Sequence, residues 1–473
     1  MSRDSTTPTD PSDNADTRAE GDGYQSDMHP AQTEPLDEHE RLAAEGRVSI
    51  RTVLALALPA LGVLAATPLY LLLDTAVVGR LGKTELAALG AATTLFSVVT
   101  TQLTFLSYGT TARASRLFGA GKKDEAIAEG VQATWVALLV GSVLAATMFL
   151  GSPWFTLWLS GNEAVAAEAT LWLRIASFGI PLLLITMAGN GWLRGIQNTT
   201  APLWFTLTGV IPAAVLVPLL VHAYGFVGSA WANLTGLALT STCFLVALVR
   251  AHGGSWAVRP QVIRRQLVLG RDLIIRSLSF QVAFLSAAGV AARFGEASLA
   301  AHQVMMQLWN FLTLVLDSLA IAAQTLTGAA LGMGSVHRAR GVGRLVVMYS
   351  AAVAAGLAAV FALGFRLIPR VFTQDDSVLE AMAWPWWILI LMIIGGGVVF
   401  ALDGVLLGAA DAVFLRNATI ASVVLGFLPG VWLSLFLNAG LTGVWCGLLA
   451  FILIRMAAVL WRFTSMKWAD NAV

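Results

Sequence analysis

Three aspartates stand out because each falls inside a long apolar segment. Asp74 lies near the end of an apolar run that begins at about residue 50, and Asp317 and Asp403 lie in later runs of the same kind. A carboxylate inside a membrane-spanning segment costs about 2.5–3.5 kcal/mol on insertion scales and is usually retained for function. We therefore predict cation coupling at these acids, with Asp74 as the main site.

The composition places the three acids in a membrane protein. Hydrophobic residues make up 57% of the 473 residues and charged residues 12%, against about 25% charged residues in a soluble domain. A helix needs about 20 apolar residues to cross a bilayer. We predict an all-α integral membrane protein with twelve transmembrane helices, at about 50–75, 88–112, 128–150, 168–192, 202–222, 226–250, 270–292, 301–330, 341–366, 381–408, 413–436 and 441–463.

The loops between these helices are too short to hold a soluble enzyme domain or a nucleotide site. We therefore expect no enzyme activity, no cofactor and no metal. Nothing in the charge pattern indicates nucleic-acid binding beyond the basic loops that membrane proteins ordinarily carry.

The chain repeats itself at an offset of 213 residues. Leucine and alanine matches are common in any membrane protein, so the informative matches are those of other residue types. They pair Arg80 with Arg293, Gly82 with Gly295, Gly119 with Gly332, Gly121 with Gly334, and Asn190 with Asp403. Six helices in each copy make the two copies parallel, and such halves usually rock against each other around a site at their interface.

These features define the expected domain organisation. We predict two six-helix lobes at residues 49–250 and 269–465, joined by a cytoplasmic linker at 251–268. Residues 1–48 carry 12 acids and 4 bases without an apolar run, which predicts a disordered acidic tail. Residues 466–473 form a short C-terminal tail.

Lysine and arginine are enriched in alternate loops, which the positive-inside rule assigns to the cytoplasm. The loops after the second, sixth and eighth predicted helices carry this excess. With an even number of crossings, both termini are expected in the cytoplasm. The protein is then a multi-pass protein of the cell membrane, which in a bacterium is the inner membrane.

The two copies differ where the charges lie. Asp74 corresponds to Ala287 at the shared offset, and Asp317 corresponds to Thr104. Each acid also has a structural interpretation, as a side chain hydrogen-bonded between helices. Arg276, in the first turns of the seventh predicted helix, either snorkels to the interface or pairs with a buried acid.

Other charges and prolines complete the candidate set. Asp411 and Arg416 lie near a helix end, where a solvated surface role is expected. Pro59 and Pro68 interrupt the first predicted helix ahead of Asp74, and each removes a backbone hydrogen bond. We predict that this helix bends there and so changes how water reaches the acid.

Several segments together resemble those of the multidrug and toxic compound extrusion (MATE) transporters, within the DinF-like branch. They are Leu-Pro-Ala-Leu at 58–61, Asp-Thr-Ala-Val-Val-Gly-Arg-Leu-Gly at 74–82, Leu-Ala-Ala-His-Gln at 299–303, Asp317 with Ala-Ala-Gln at 322–324, and Phe-Ala-Leu-Asp-Gly-Val-Leu-Leu-Gly-Ala at 400–409. The resemblance covers about residues 47–463. It implies a V-shaped bundle of two six-helix lobes and cation-coupled export of organic compounds, often cationic and amphipathic.

The resemblance also implies roles for single residues. Asp74 matches the first-helix acid that binds protons or Na⁺ in the family, and Pro59 matches a proline linked to bending of that helix. Asp403 matches a tenth-helix acid implicated in relatives from another branch.

One departure from the family pattern bears on the coupling ion. Family members often carry an Asn and an Asp four residues apart in the fifth helix, where this chain has Ala213 and Val217. Na⁺ prefers several oxygen ligands, whereas a proton needs one carboxylate. Of nearby side chains only Thr75 is obvious from the sequence, unless folding brings Asn190 or Asn233 to the site. We therefore predict proton coupling, with Na⁺ as the alternative.

The sequence thus predicts a proton antiporter that exports cationic amphipathic compounds and is functional as a monomer. Asn190 and Thr75 are expected to supply polar contacts to the substrate, and membrane lipid is the other expected partner. Efflux of organic acids such as citrate is an alternative substrate class. A flippase for a lipid-linked precursor and a non-transporting membrane scaffold that signals through the acidic tail are the alternatives from other classes.

Overall fold

A computed structural model describes residues 49–469, all helices and short connections, with no strand in that range. The predicted tail at 1–48 and the last four residues of the C-terminal tail lie outside the described residues. The first lobe contains α1 (Ile50–Val78), α2 (Lys83–Gln102), α3 (Phe105–Gly119), α4 (Lys123–Ser160), α5 (Glu163–Ser177), α6 (Gly179–Gly195), α7 (Thr200–Tyr224) and α8 (Val227–Ala251). The second lobe contains α9 (Pro260–Arg293), α10 (Glu296–Gly332), α11 (Val336–Leu363), α12 (Ile368–Phe372), α13 (Asp376–Gly408), α14 (Ala412–Ser422), α15 (Leu428–Phe436) and α16 (Gly440–Thr464).

The number of crossings agrees with the prediction of twelve. Within the described residues, eleven helical segments are long and apolar enough to cross a membrane. The pair α5 and α6, bent by 44° at Phe178, makes a twelfth crossing when counted as one span. In the second lobe the equivalent span, α13, is continuous, whereas α14 and α15 are joined by a π-helical turn at Val423–Phe427.

The internal repeat appears in the helix bounds. The span Lys83–Gly119 and its counterpart Glu296–Gly332 begin and end 213 residues apart. The same offset relates Val227–Ala251 to Gly440–Thr464. Both lobes therefore fold as copies of one six-helix unit.

The seventh crossing begins earlier than the sequence predicted. Helix α9 begins at Pro260 rather than near residue 270, so it occupies part of the segment predicted as a linker. Proline is favourable in the first turn because its missing N–H has no intrahelical partner there. The basic residues of its first three turns interrupt the apolar run, so the apolar pattern placed the start of this helix too late.

The apolar cores show how the lobes meet. One cluster of buried residues contains members of both lobes, among them Leu56, Leu106, Leu326 and Leu406. These lie toward the end of the bundle where α3, α6, α10 and α13 finish, which we name the closed end. Toward the opposite end, the open end, each lobe has a core of its own. The lobes therefore join at one end and diverge at the other, as a V.

Glycines bring the two lobes into backbone contact at the closed end. A β-carbon on Gly119 would collide with the carbonyl of Ala329, and one on Gly332 would collide with the carbonyl of Arg116. Small residues let membrane helices approach this closely and gain packing where the lipid supplies no hydrophobic drive. Helices α3 and α10 are therefore held together by backbone contact.

Replacing Gly332 by Ala should loosen the closed end. The added methyl group has no room between α10 and α3, and overpacking of this kind costs about 1–3 kcal/mol. We expect a lower midpoint of thermal unfolding in detergent for Gly332→Ala. The matched control is Gly90→Ala, since its β-carbon would meet no atom within 4 Å. Equal midpoints for the two variants would show that the contact contributes nothing.

Candidate functional site

The first lobe encloses a cavity of about 330 Å³. Its wall is formed by α1, α2, α3, α5, α6, α7 and α8, and the exposed surface of this wall is mostly apolar. The polar side chains on the wall are those of Thr67, Tyr70, Thr93, Ser97, Thr100, Thr104, Ser107, Tyr108, Thr186, Asn190, Arg194, Thr206, Asn233 and Thr240. Arg194 is the charged residue of this set, and Asn190 lies on the wall where the sequence predicted a polar contact.

Asp74 is buried beside this cavity, with 1% of its surface exposed. Its Oδ2 accepts a hydrogen bond from the Ser229 hydroxyl at 2.8 Å, and Ser229 Oγ accepts one from Trp172 Nε1 at 3.1 Å. Asp74 Oδ1 and the hydroxyl of Tyr70 find no hydrogen-bond partner among residues 49–469. One carboxylate oxygen is thus held by a donor, and the other is free to take a proton.

Asp74 contacts the cavity through its neighbours. Trp172 and Tyr70 line the cavity, while Asp74 itself does not. Tyr70 precedes Asp74 by one helical turn on α1, and Trp172 reaches the acid through Ser229. Asp74 is therefore connected to the cavity wall by the hydrogen bonds that run through Ser229 to Trp172.

The structure also shows where the two apolar residues of the fifth crossing, Ala213 and Val217, lie. Ala213 and Val217 are buried in the same apolar cluster as Tyr70 and Trp172. Asn233 lines the cavity, and the hydrogen bond to Asp74 comes from Ser229 instead. Ser229 escaped the sequence analysis because a serine 155 residues from the acid carries no local signal.

Thr75 does not lie where the sequence predicted. Its side chain is on the exposed side of α1, and its hydroxyl donates to the carbonyl oxygen of Leu71 at 2.7 Å. Residues adjacent on a helix point in different directions, so burial of Asp74 turns Thr75 away from the cavity.

The two prolines lie inside α1, which runs as one helix from Ile50 to Val78. Pro59 and Pro68 both precede Asp74 on this helix. The predicted bend is therefore not a break of the helix in this structure, and the role of the prolines in bending stays a prediction.

In the second lobe Asp403 is held by two arginines. Its Oδ2 accepts from Arg276 Nη2 at 2.7 Å and from Arg455 Nη2 at 2.6 Å. Arg455 also donates to Thr419, and both guanidinium groups lie over the ring of Phe280. Of the two interpretations of Arg276, the structure shows the ion pair with a buried acid.

The equivalent place in the first lobe is part of the cavity. At the repeat offset Asp403 corresponds to Asn190 and Arg276 to Val63, and both of these line the cavity. The ion cluster of the second lobe therefore occupies the position that the first lobe leaves open.

Asp317 connects the lobes. Tyr108 of α3 donates its phenolic proton to Asp317 Oδ2 of α10 at 2.8 Å, and Gln324 Nε2 of α10 donates to the Tyr108 carbonyl at 2.7 Å. Arg194 and Arg276 lie within electrostatic range of Asp317. Since Tyr108 also lines the cavity, this hydrogen bond links the cavity wall to the second lobe.

The expectation that Asp411 and Arg416 are solvated surface residues was wrong. Asp411 is 4% exposed and accepts from Arg462 Nε at 2.7 Å. Arg416 Nη1 donates to Asp272, a buried acid of α9, at 2.6 Å. Both pairs join neighbouring helices near the closed end, a contact that only the packing of α9, α14 and α16 creates.

Comparison with known proteins agrees with this architecture. A model of the MatE family matches residues 59–219 and 273–432, one block in each lobe. The chain belongs to the MatE family. It is a multi-pass membrane protein and a MATE-family multidrug efflux transporter, and members of this family are transporters rather than enzymes.

Similar proteins cover nearly the whole chain. The DNA damage-inducible protein F of Escherichia coli (strain K12) is 30% identical, over 86% of this chain and 91% of its own length. Protein DETOXIFICATION 44, chloroplastic, of Arabidopsis thaliana is 29% identical, over 96% of this chain and 90% of its own. The resemblance to the MATE family and its DinF-like members is thereby confirmed.

The fold is likewise that of solved MATE structures. A crystal structure of MATE in the bent conformation covers 89% of this chain and 97% of its own, with a TM-score of 0.82 at 20% identity. The predicted fold, an all-α V-shaped bundle of two six-helix lobes, is confirmed.

Removing the hydroxyl of Ser229 should impair the transporter while leaving Asp74 in place. A hydrogen bond to a charged group contributes about 1.5–3 kcal/mol, so we expect Ser229→Ala to lower the export rate by about tenfold or more. The measurement is the initial rate of efflux from cells with matched expression. Ser241→Ala is the control, because that hydroxyl of the same helix bonds its own backbone at Ala238. An unaltered rate in Ser229→Ala would contradict the role given to this hydrogen bond.

Neutralising Asp403 should destabilise the second lobe. Asp403→Asn leaves Arg276 and Arg455 without their anion, and removing one partner of a buried ion pair costs about 3–5 kcal/mol. We expect a clearly lower midpoint of thermal unfolding for the purified variant. Asp376→Asn changes an exposed acid in the first turn of the same helix and should leave the midpoint unchanged. A stable Asp403→Asn protein that no longer transports would instead assign Asp403 to coupling.

Proposed function

We propose that this MATE-family protein exports small amphipathic organic compounds, cationic ones in the main case, by antiport with protons at Asp74. The observation that carries the proposal is the pairing of a buried carboxylate with the cavity of the first lobe. The acid has one hydroxyl donor on Oδ2 and no partner on Oδ1 among the described residues. The mechanism needs only this carboxylate, its neighbours and a substrate in the cavity.

The surroundings of Asp74 favour a proton over Na⁺. Its hydrogen-bond partner Ser229 contributes a single oxygen, and the fifth crossing carries the apolar Ala213 and Val217 at the two positions considered for further oxygen ligands. A hard cation is bound by several oxygens at once. A proton is satisfied by one carboxylate oxygen.

The exchange follows from the contacts of the acid. Protonation removes the charge that the Ser229 hydroxyl donates to, so the Trp172–Ser229–Asp74 chain of hydrogen bonds weakens. Trp172 and Tyr70 form part of the cavity wall, and their movement changes the fit for a bound compound. The proton binds Asp74 and the exported compound binds the cavity wall, so the two compete although no residue binds both.

We assign the closed end to the cytoplasm, because the loops that carry the excess of Lys and Arg lie there. Both termini are then cytoplasmic, and the open end faces outward. In this state a proton from outside reaches Asp74, which lies one turn from the outer end of α1, and the exported compound leaves through the same opening. One chain contains the complete route, so we take the monomer as the functional unit.

The lining of the cavity suits an amphipathic compound. Phe96, Trp172 and the two tyrosines offer ring faces, which attract organic cations, and hydroxyl and amide groups supply orienting contacts. A second candidate class is organic acids. The observation in its favour is Arg194, a guanidinium on the cavity wall with 5% of its surface exposed.

Replacing Asp74 by Asn should abolish coupled export. The amide keeps the shape of the carboxylate and still accepts from Ser229, so the fold is retained while the proton site is lost. The measurement is uptake or efflux in proteoliposomes with a panel of cationic dyes and organic acids, under a pH gradient without Na⁺ and then under a Na⁺ gradient at symmetric pH. We expect wild-type transport with the pH gradient alone and none with Asp74→Asn. The control Glu163→Gln alters an exposed acid at the open end and should transport normally.

Three results of this experiment would change the proposal. Transport driven by Na⁺ alone refutes proton coupling. Transport of carboxylates but not dyes, lost in Arg194→Gln, selects the organic-acid class. Full activity of Asp74→Asn removes Asp74 from the mechanism.

A further inference from the structure

The second lobe has a groove at the closed end that shares no residue with the cavity of the first lobe. It is about 670 Å³ in volume and lies between the first turns of α11 and the last turns of α13 and α16. Its polar side is formed by His337, Arg340 and Arg344, and its apolar side includes Leu402, Leu460 and Phe463. The groove is therefore cationic along one edge and hydrocarbon-like along the other.

The three basic side chains lie on one face of α11. Their spacing of three and four residues stacks them one turn above another, and all three are exposed. No ion pair or hydrogen bond occupies Arg340 or Arg344 within residues 49–469, and no acid lines the groove. Two guanidinium groups therefore face the groove with their charge unbalanced by the described part of the chain.

The depth of the groove matches the surface of a bilayer. Helix α11 has 28 residues, about 42 Å at a rise of about 1.5 Å per residue, whereas the hydrocarbon core is about 30 Å thick. The first turns of α11 therefore lie at the level of the lipid headgroups, and the apolar edge of the groove continues into the acyl-chain region.

The first lobe shows that the fold does not require these arginines. At the repeat offset Arg340 corresponds to Ile127 and Arg344 to Val131, and both are buried in an apolar cluster with Trp192 and Phe244. The equivalent glycines lie in the same place, since Gly130 packs on Trp192 and Gly343 packs on Phe463 and Val405.

The two lobes differ in the size of the side chains that pack at this place. Trp192 and Phe244 are packed there in the first lobe, whereas the equivalent positions of the second lobe carry the smaller Val405 and Ala457, with Phe463 against Gly343. Where the first copy has a closed apolar core, the second has open space edged by arginines. The second lobe therefore differs from the first in having both open space and unbalanced positive charge at this place, and a charged amphipathic ligand requires both.

We propose that this groove is a binding site for an anionic phospholipid. Arg340 and Arg344 bind the headgroup phosphate, with His337 at the outer edge, and the acyl chains lie along Leu402, Leu460 and Phe463. Basic pockets between transmembrane helices at the membrane surface bind anionic headgroups by this combination of charge and apolar contact. Guanidinium groups suit phosphate because they donate two parallel hydrogen bonds. The site does not depend on the coupling ion or on the exported compound.

The test is a titration of the purified full-length protein in neutral detergent with phosphatidylglycerol that carries a fluorescent acyl chain. Each basic residue near an anionic headgroup contributes about 1 kcal/mol, so Arg340→Gln/Arg344→Gln should weaken binding about thirtyfold. Both side chains are exposed, so the variant keeps its fold. The control Arg250→Gln/Arg265→Gln removes the same charge from exposed positions at the same end of the bundle and should bind within about twofold of wild type.

Several outcomes decide the proposal. Tighter binding of phosphatidylglycerol than of phosphatidylcholine with the same label supports it. Equal weakening in the control pair would overturn it, because binding would then reflect the general charge of this end. Displacement by sn-glycerol 3-phosphate as effectively as by unlabelled lipid would identify a free phosphate site instead. Binding that is seen only after deletion of residues 1–47 would identify the acidic N-terminal segment as the occupant.

Discussion

The backbone contact between α3 and α10 is the constraint on which the rest of the molecule depends. Gly119 and Gly332 are the same position in the two copies of the repeat, and each lies against the main chain of the opposite helix. The contact lies near the last residues of α3 and α10, so it joins the lobes at the closed end. Toward the other end each lobe packs around a core of its own, so the bundle has the shape of a V. The cavity of the first lobe lies in one arm of this V.

The two lobes solve the burial of a carboxylate in opposite ways. Asp403 is surrounded by charge, with two guanidinium groups on one oxygen, and a buried anion of this kind is expensive to neutralise. Asp74 has a hydroxyl and an apolar cluster. A group with few partners changes its charge with little loss of other contacts. This asymmetry is why the coupling proposal rests on the first lobe and the structural proposal on the second.

Because the fold is duplicated, each position in one lobe can be compared with its equivalent in the other. Wherever the two copies share a residue type, as at the glycines of the closed end, the position serves the common fold. Where they differ in charge, as at Asn190 and Asp403, the two lobes have different surroundings at the same place in the fold. The first lobe has its cavity at the positions where the second lobe has the ion cluster, and it is packed with Trp192 and Phe244 where the second lobe has the groove between α11, α13 and α16.

The sequence by itself determined the class of protein, the repeat and the identity of the three acids. Apolar length and the cost of a buried charge are local properties, so they can be read from consecutive residues, and the 213-residue offset needed only pattern matching. It also showed that the fifth crossing carries the apolar Ala213 and Val217. Tertiary structure alone decided the partners: Ser229 for Asp74, Arg276 and Arg455 for Asp403, and Tyr108 for Asp317. These contacts join helices that are far apart in the chain, and which face of each helix turns inward depends on packing against all its neighbours. The same reason explains why Thr75 turned out to lie on the exposed side and Asp411 in an ion pair.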